Sequence, residues 1–246
     1  MAEPQSQSAT QKQGGWVQKS WAFNFKFVFL SAIFWIIQFS LQYYIYAPNM
    51  VEVAIVRAFA FSGAMFIAIA LLSSIAFKFK PILSKYAFVR KNFGVMGFIF
   101  IFFHVIAAIQ FYFFGDLSQV YFSWNPFENP IVFGALAYPI LFIMSITSIN
   151  WVEHKIGGTW WKAIHRLVYF AFLFMVFHFT RQNPVALESI PGYVLILLTL
   201  AVLAGELYWF VRVTLERKKI VSIGTLIGLI VILLYLIIGY LAFFAN

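Results

Sequence analysis

Apolar residues run in long unbroken stretches along this chain, separated by short polar connections. Crossing about 30 Å of hydrocarbon takes about 20 helical residues. Seven stretches qualify: 21–46, 53–77, 92–114, 131–149, 160–180, 193–211 and 220–245. The runs are continuous rather than alternating, which excludes a β-barrel and predicts an all-α polytopic membrane bundle of seven transmembrane helices. The fifth reaches full length only with Trp160 and Trp161 at the interface, where tryptophan is favoured. Turn signals separate the runs at Pro48-Asn49, Pro81, the loop from Gly115-Asp116 to Asn129-Pro130, Gly157-Gly158, and Pro184 to Pro191-Gly192. The first twenty residues, rich in Gln, Ser and Gly, predict a disordered tail (1–20) ahead of one membrane domain (21–246). They lack the charged-then-apolar pattern of a cleaved signal peptide, so span 1 is expected to be retained.

Composition sharpens this picture. Of 246 residues, 63% are apolar and only 10% charged, far from the roughly 25% charged of a soluble domain. The solvent for much of the surface is therefore lipid. There is no cysteine, which excludes disulfides, iron–sulfur ligation, thiolate chemistry and covalent haem attachment. Any cofactor has to be held by His, Met, carboxylate, amide or packing.

The net charge of +9 invites a nucleic-acid reading, but its placement argues for a membrane instead. Lys12, Lys19 and Lys26 precede or open span 1, and Lys78, Lys80, Lys85, Arg90 and Lys91 lie between spans 2 and 3. Lys155, Lys162 and Arg166 surround the connection of spans 4 and 5, and Arg212, Arg217, Lys218 and Lys219 join spans 6 and 7. If the seven spans alternate, these fifteen of the 17 basic residues fall on one side, leaving Arg57 and Arg181 on the other. Basic residues favour the cytoplasmic face, so the expected topology is N-terminus in and C-terminus out, with the bilayer and not nucleic acid as partner.

Three of the four histidines, His104, His165 and His178, lie in or at the ends of apolar spans. Ionisable groups at membrane depth are costly, so each is a candidate functional residue; the competing reading is a neutral imidazole hydrogen-bonded to a neighbouring helix. His104 lies 13 residues beyond Lys91, and His178 lies 13 beyond His165. At about 1.5 Å per residue, both sit roughly 20 Å above the cytoplasmic boundary. Two imidazoles at equal depth on different helices are what a bis-histidine b-type haem requires. His165 stands alone at the inner level, where Arg90 or Lys91 is placed to bind a propionate, a phosphate or a quinone carbonyl. Thirteen residues put His165 and His178 about 140° apart on an ideal helix, so span 5 has to bend or serve groups approaching from two sides.

The stretch Thr147-Ser148, then Trp160-Trp161-Lys162-Ala163-Ile164-His165-Arg166-Leu167-Val168-Tyr169, then His178, carries a recognisable pattern. Ahead of it stand Arg90-Lys91-Asn92-Phe93-Gly94 and His104, and His165 follows His104 by 61 positions. Over residues 57–211 this resembles the ferric-reductase-like transmembrane family, especially its YedZ/MsrQ type, the haem-binding membrane subunit of a periplasmic methionine-sulfoxide reductase system. The resemblance implies a b-type cytochrome of the bacterial inner membrane that carries electrons from a cytoplasmic reductase or quinol to an outer, periplasmic redox partner. His104 and His178 match the family's outer haem ligands and His165 its inner cofactor position. One haem b is implied, with a second haem, FMN or a quinone at the inner position. Span 7 and the Gln/Ser-rich N-terminus exceed the six-helix core of the family.

No G-x-G-x-x-G occurs, so electrons are expected from a separate protein, a loosely held flavin or a quinol. Lys85, Arg90, Lys91, Lys162 and Arg166 are candidates to bind a flavin phosphate. Arg57, inside span 2, is a candidate partner for an outer haem propionate, with snorkelling to headgroups as the alternative. Glu206 is expected to pair with Arg212 or to relay a proton, and Tyr169, Trp160 and Trp161 are expected at packing or interface positions. His154, beside Glu153 and Lys155, is expected in solvent. The 115–130 loop, with Asp116, Glu128 and the aromatics Tyr121, Phe122 and Trp124, is the expected docking surface for an outer partner. A receptor or transporter lacks support: span 7 carries no lysine for retinal and no paired half-repeats appear. A non-catalytic accessory subunit of a larger complex remains the alternative to the redox subunit.

Overall fold

In a computed structural model, which describes residues 25–217 and Ile230, the chain is helical and no strand occurs among the described residues. Helix α1 spans Phe25–Tyr46 and ends in a widened π turn over Gln42–Tyr46. It is followed by α2 (Val51–Phe79), α3 (Ala87–Tyr112), the single turn α4 (Leu117–Val120), α5 (Ile131–Thr147), α6 (Asn150–Arg166), α7 (Val168–Gln182) and α8 (Ile190–Arg217). Five helical runs are long and apolar enough to cross a membrane: α1, α2, Pro81–Tyr112, Asn150–Gln182 and Ile190–Val213. Helix α5 is a sixth, shorter apolar helix of 17 residues. The expected span at 220–245 and the tail at 1–20 lie outside the described residues.

The expected fifth span differs most from its boundaries. The helical run starts at Asn150 rather than at Trp160, and it is broken twice. Gly157 adopts φ 77°, a conformation that only glycine takes without strain, and re-aims the chain ahead of Trp160. A second interruption at Leu167 separates α6 from α7, between His165 and His178. Leu167 itself keeps right-handed helical dihedrals, φ −64° and ψ −13°.

Helix α2 is the axis of the bundle. Two thirds of its apolar window (67%) is buried, against 17% to 28% for the other long spans, whose outward faces present Phe, Leu and Ile to the surroundings. Its partners are α1, α3, α7 and α8. Phe66 on α2 packs on Phe27 and Phe34 of α1 and on Phe93 and Phe100 of α3. Helices α2 and α3 come close enough for backbone contact because glycine faces glycine. A Cβ on Gly97 would sit 2.7 Å from Ile67 and 3.2 Å from the Gly63 carbonyl, and one on Gly63 would sit 2.7 Å from Ile101. Where lipid removes the hydrophobic drive, such small-residue contacts are what hold helices together.

Replacing Gly97 with leucine is expected to separate α2 from α3 and destabilise the fold by about 1–3 kcal/mol or more, the range for overpacking. A thermal melt in detergent checks this; an unchanged midpoint would mean that the crossing is not tight.

Candidate functional site

Two cavities follow one another along the bundle. The first lies toward the end carrying the 115–130 loop, and the second toward the end carrying most of the basic residues. They use successive stretches of the same helices: residues 56–64 of α2 and 101–113 of α3 for the first, and residues 67–78 and 90–98 for the second.

The loop-end cavity encloses about 280 Å³ and brings His104 of α3 together with His178 of α7. Their ring centres are 6.2 Å apart with the planes at 66°. Each ring is fixed through Nδ1. The His104 Nδ1–H donates to the Val56 carbonyl at 3.0 Å, and the His178 Nδ1–H donates to the Pro130 carbonyl at 3.1 Å. A carbonyl only accepts, so Nδ1 must carry the proton, and a neutral ring then presents its lone pair on Nε2. Gly134 on α5 allows this packing, since a Cβ there would sit 3.2 Å from His178 Nδ1. The expected equal depth of these two histidines is therefore a direct side-by-side placement.

Arg57 lines the same cavity, and its Nε is buried with no partner among the described residues. Met175, one turn before His178, also lines it, as do Leu117, Val120 and Tyr121 from the loop. The loop is held over the cavity by its own hydrogen bonds. Asn129, which is buried, donates to the Val120 and Ser123 carbonyls at 2.9 and 3.0 Å and accepts from the Ile131 N–H. Glu128 accepts from Ser123 and Asn125, and these bonds hold its carboxyl below the usual range. The contribution of Glu128 is thus present at neutral pH and is lost as pH falls through that lowered value. Trp124, stacked on Tyr121, and Phe127 remain 71% and 54% exposed.

The basic-end cavity, about 460 Å³, gathers Lys78, Arg90, Lys91, Lys162, Arg166 and His165. These residues come from α2, α3 and α6, so the charges scattered along the sequence converge here. His165 donates through Nδ1 to the Trp161 carbonyl at 2.9 Å, stacks on the Trp161 ring at 3.9 Å, and has Nε2 3.2 Å from the Ser148 hydroxyl. Both of its nitrogens are engaged, unlike those of the loop-end pair. Trp161 Nε1 is buried on this wall with no partner among the described residues. Arg90 donates to Ser74 at 3.2 Å, and Lys91 donates to Asn150 and Glu153 at 2.7 and 3.0 Å. Lys91 is thus already ion-paired, which leaves Arg90, Lys162 and Arg166 better placed to meet an anion.

Sequence reasoning singled out Glu206 but missed the partners that the fold gives it. Glu206 accepts from Lys78 through both oxygens at 2.7 Å and from the Tyr169 hydroxyl at 2.8 Å, which gives Tyr169 more than a packing role. The signal was an acid inside one apolar run and a lysine at the end of another. Their separation of 128 residues hid the pairing. Among the described residues, no group of three or more His, Cys, Asp or Glu is placed to hold a metal ion, so a metal here would rely on the imidazole pair and a ligand of its own.

His104, Arg57 and the lining of the basic-end cavity lie on a stretch that one known family accounts for, and His178 stands two residues beyond its end. Residues 56–176 match the family described as ferric reductase like transmembrane component, so this stretch is similar to that family's membrane part.

Proposed function

We propose that this protein is a transmembrane b-type cytochrome that passes electrons from a donor at the basic end to an acceptor at the loop end, as YedZ/MsrQ-type membrane subunits do. The observation that carries the reading is the His104–His178 pair. The two imidazoles line one cavity from two helices, so together they would hold the iron of a haem. Nδ1 bonds to backbone carbonyls orient such ligands and fix the tautomer that leaves Nε2 for the metal. The unpartnered Arg57 Nε fits a propionate.

Haem b, when bound, supplies a one-electron couple whose potential is set by its axial ligands and burial. His104 and His178 would hold it from α3 and α7, with Arg57 balancing a propionate and the Asn129-braced loop limiting water. At the basic end, His165, Arg90, Lys162 and Arg166, with the free Trp161 N–H, suit an electron donor bearing carbonyl or phosphate oxygens. A membrane hydroquinone or a flavin mononucleotide reduced by a cytoplasmic reductase has that chemistry. The positive-inside bias puts this end in the cytoplasm and the loop end in the periplasm of a bacterial inner membrane, facing a periplasmic reductase.

Low-temperature EPR of three single variants tests the assignment. His104→Ala and His178→Ala are each expected to remove or convert a low-spin ferric signal. His165→Ala is expected to keep it while slowing reduction from the basic end at least tenfold. Survival of the signal without His104, or its loss in all three, would overturn the pairing. A spectrum with no haem absorption in the wild type would favour an accessory subunit instead.

The exposed aromatics of the loop generate a second expectation. Replacing both Trp124 and Phe127 with serine should slow electron delivery to an outer redox partner several-fold with an unchanged haem spectrum. Delivery at the wild-type rate would place docking elsewhere.

A further inference from the structure

Glu206 is an acid inside an apolar span, and its partners come from two other helices. Lys78 of α2 donates to both of its oxygens at 2.7 Å, and Tyr169, near the start of α7, donates to Oε1 at 2.8 Å. Lys78 and Tyr169 both line the basic-end cavity. The carboxylate therefore bridges two groups of the cavity wall. The side chains of Lys78 and Glu206 are 29% and 17% exposed, so the network reaches from the cavity to the edge of the bundle. A partly buried ion pair is a weak way to stabilise a fold, because desolvation offsets much of the attraction. An acid, a phenol and an amine in unbroken hydrogen-bond contact are well suited to moving a proton.

We propose that Tyr169, Glu206 and Lys78 form a relay that carries away the protons released when a hydroquinone is oxidised in the basic-end cavity. The inference rests on the donor reading above. A hydroquinone gives up two electrons and two protons as both O–H bonds break and its ring oxygens become carbonyls. The electrons leave singly, and a haem held by His104 and His178 would be the one-electron acceptor. A one-electron couple takes no proton, and free protons are not held in an apolar interior, so they need their own route.

For each proton, Tyr169 Oη accepts it while handing its own proton to Glu206. Lys78 passes an N–H proton to water at the bundle edge and is reprotonated by Glu206, which restores the starting state. Arg90 and Arg166, the other cations acting on Tyr169, oppose a return of positive charge toward the cavity.

The test uses the full-length, haem-loaded protein in detergent, with duroquinol as the hydroquinone and stopped-flow haem absorbance as the readout. Glu206→Gln and Tyr169→Phe are each expected to slow duroquinol-driven reduction at least tenfold and to change its solvent deuterium isotope effect. Dithionite, which carries no proton to be removed, should reduce wild type and variants alike. Glu206→Asp should recover most of the rate. Equal slowing with both reductants would show that the network only braces the helices, and an unchanged duroquinol rate in Glu206→Gln would rule out the relay. Wild-type protein that dithionite reduces and duroquinol does not would overturn the hydroquinone donor itself, and the relay with it.

Discussion

An imidazole placed in hydrocarbon must have its N–H satisfied, and in this chain the backbone of neighbouring helices does it. The carbonyls of Val56 and Pro130 each take the Nδ1–H of one histidine, and that single constraint orients both rings. The rest of the loop-end half follows from it. Val56 reaches His104 because Gly63 and Gly97 let α2 and α3 approach to backbone contact. Pro130 reaches His178 because it caps the start of α5 and because Gly134 leaves room for the ring. Glycines in this bundle matter less for flexibility than for the distance they remove.

The two cavities differ in kind, and the difference suits two steps of one process. At the loop end, two imidazoles and one arginine stand among mostly apolar walls, with no carboxylate on the lining among the described residues. At the basic end, lysines, arginines, an acid and a phenol surround the larger space. Electron transfer through apolar protein needs only well-placed redox groups, whereas proton transfer needs a chain of donors and acceptors. A bundle that separates these chemistries along its axis can take both from one donor and send only electrons onward.

Much of this was legible in the sequence because lipid simplifies the problem. Apolar runs gave six of the described helices, and depth counting paired His104 with His178 before any packing was known. The helix breaks were harder. Gly157 announced a turn, but the interruption at Leu167 has no sequence signal, since neither glycine nor proline marks it. The angle between His165 and His178 called for a bend or for two directions of approach, and the two histidines line separate cavities. The Lys78–Glu206–Tyr169 network was hidden for a different reason: periodicity reports which face of a helix is apolar, not which neighbour that face meets. The Arg57 position was legible, but its unpartnered Nε depended on the packing of side chains around it.

The proposed electron path requires His104 and His178 together to hold one haem. Pulsed EPR of the wild-type protein, grown with nitrogen-15 histidine and purified with its haem, tests that most directly. The expected result is a low-spin ferric centre coupled to two labelled axial nitrogens. A centre coupled to a single labelled axial nitrogen, or a high-spin one, would contradict it.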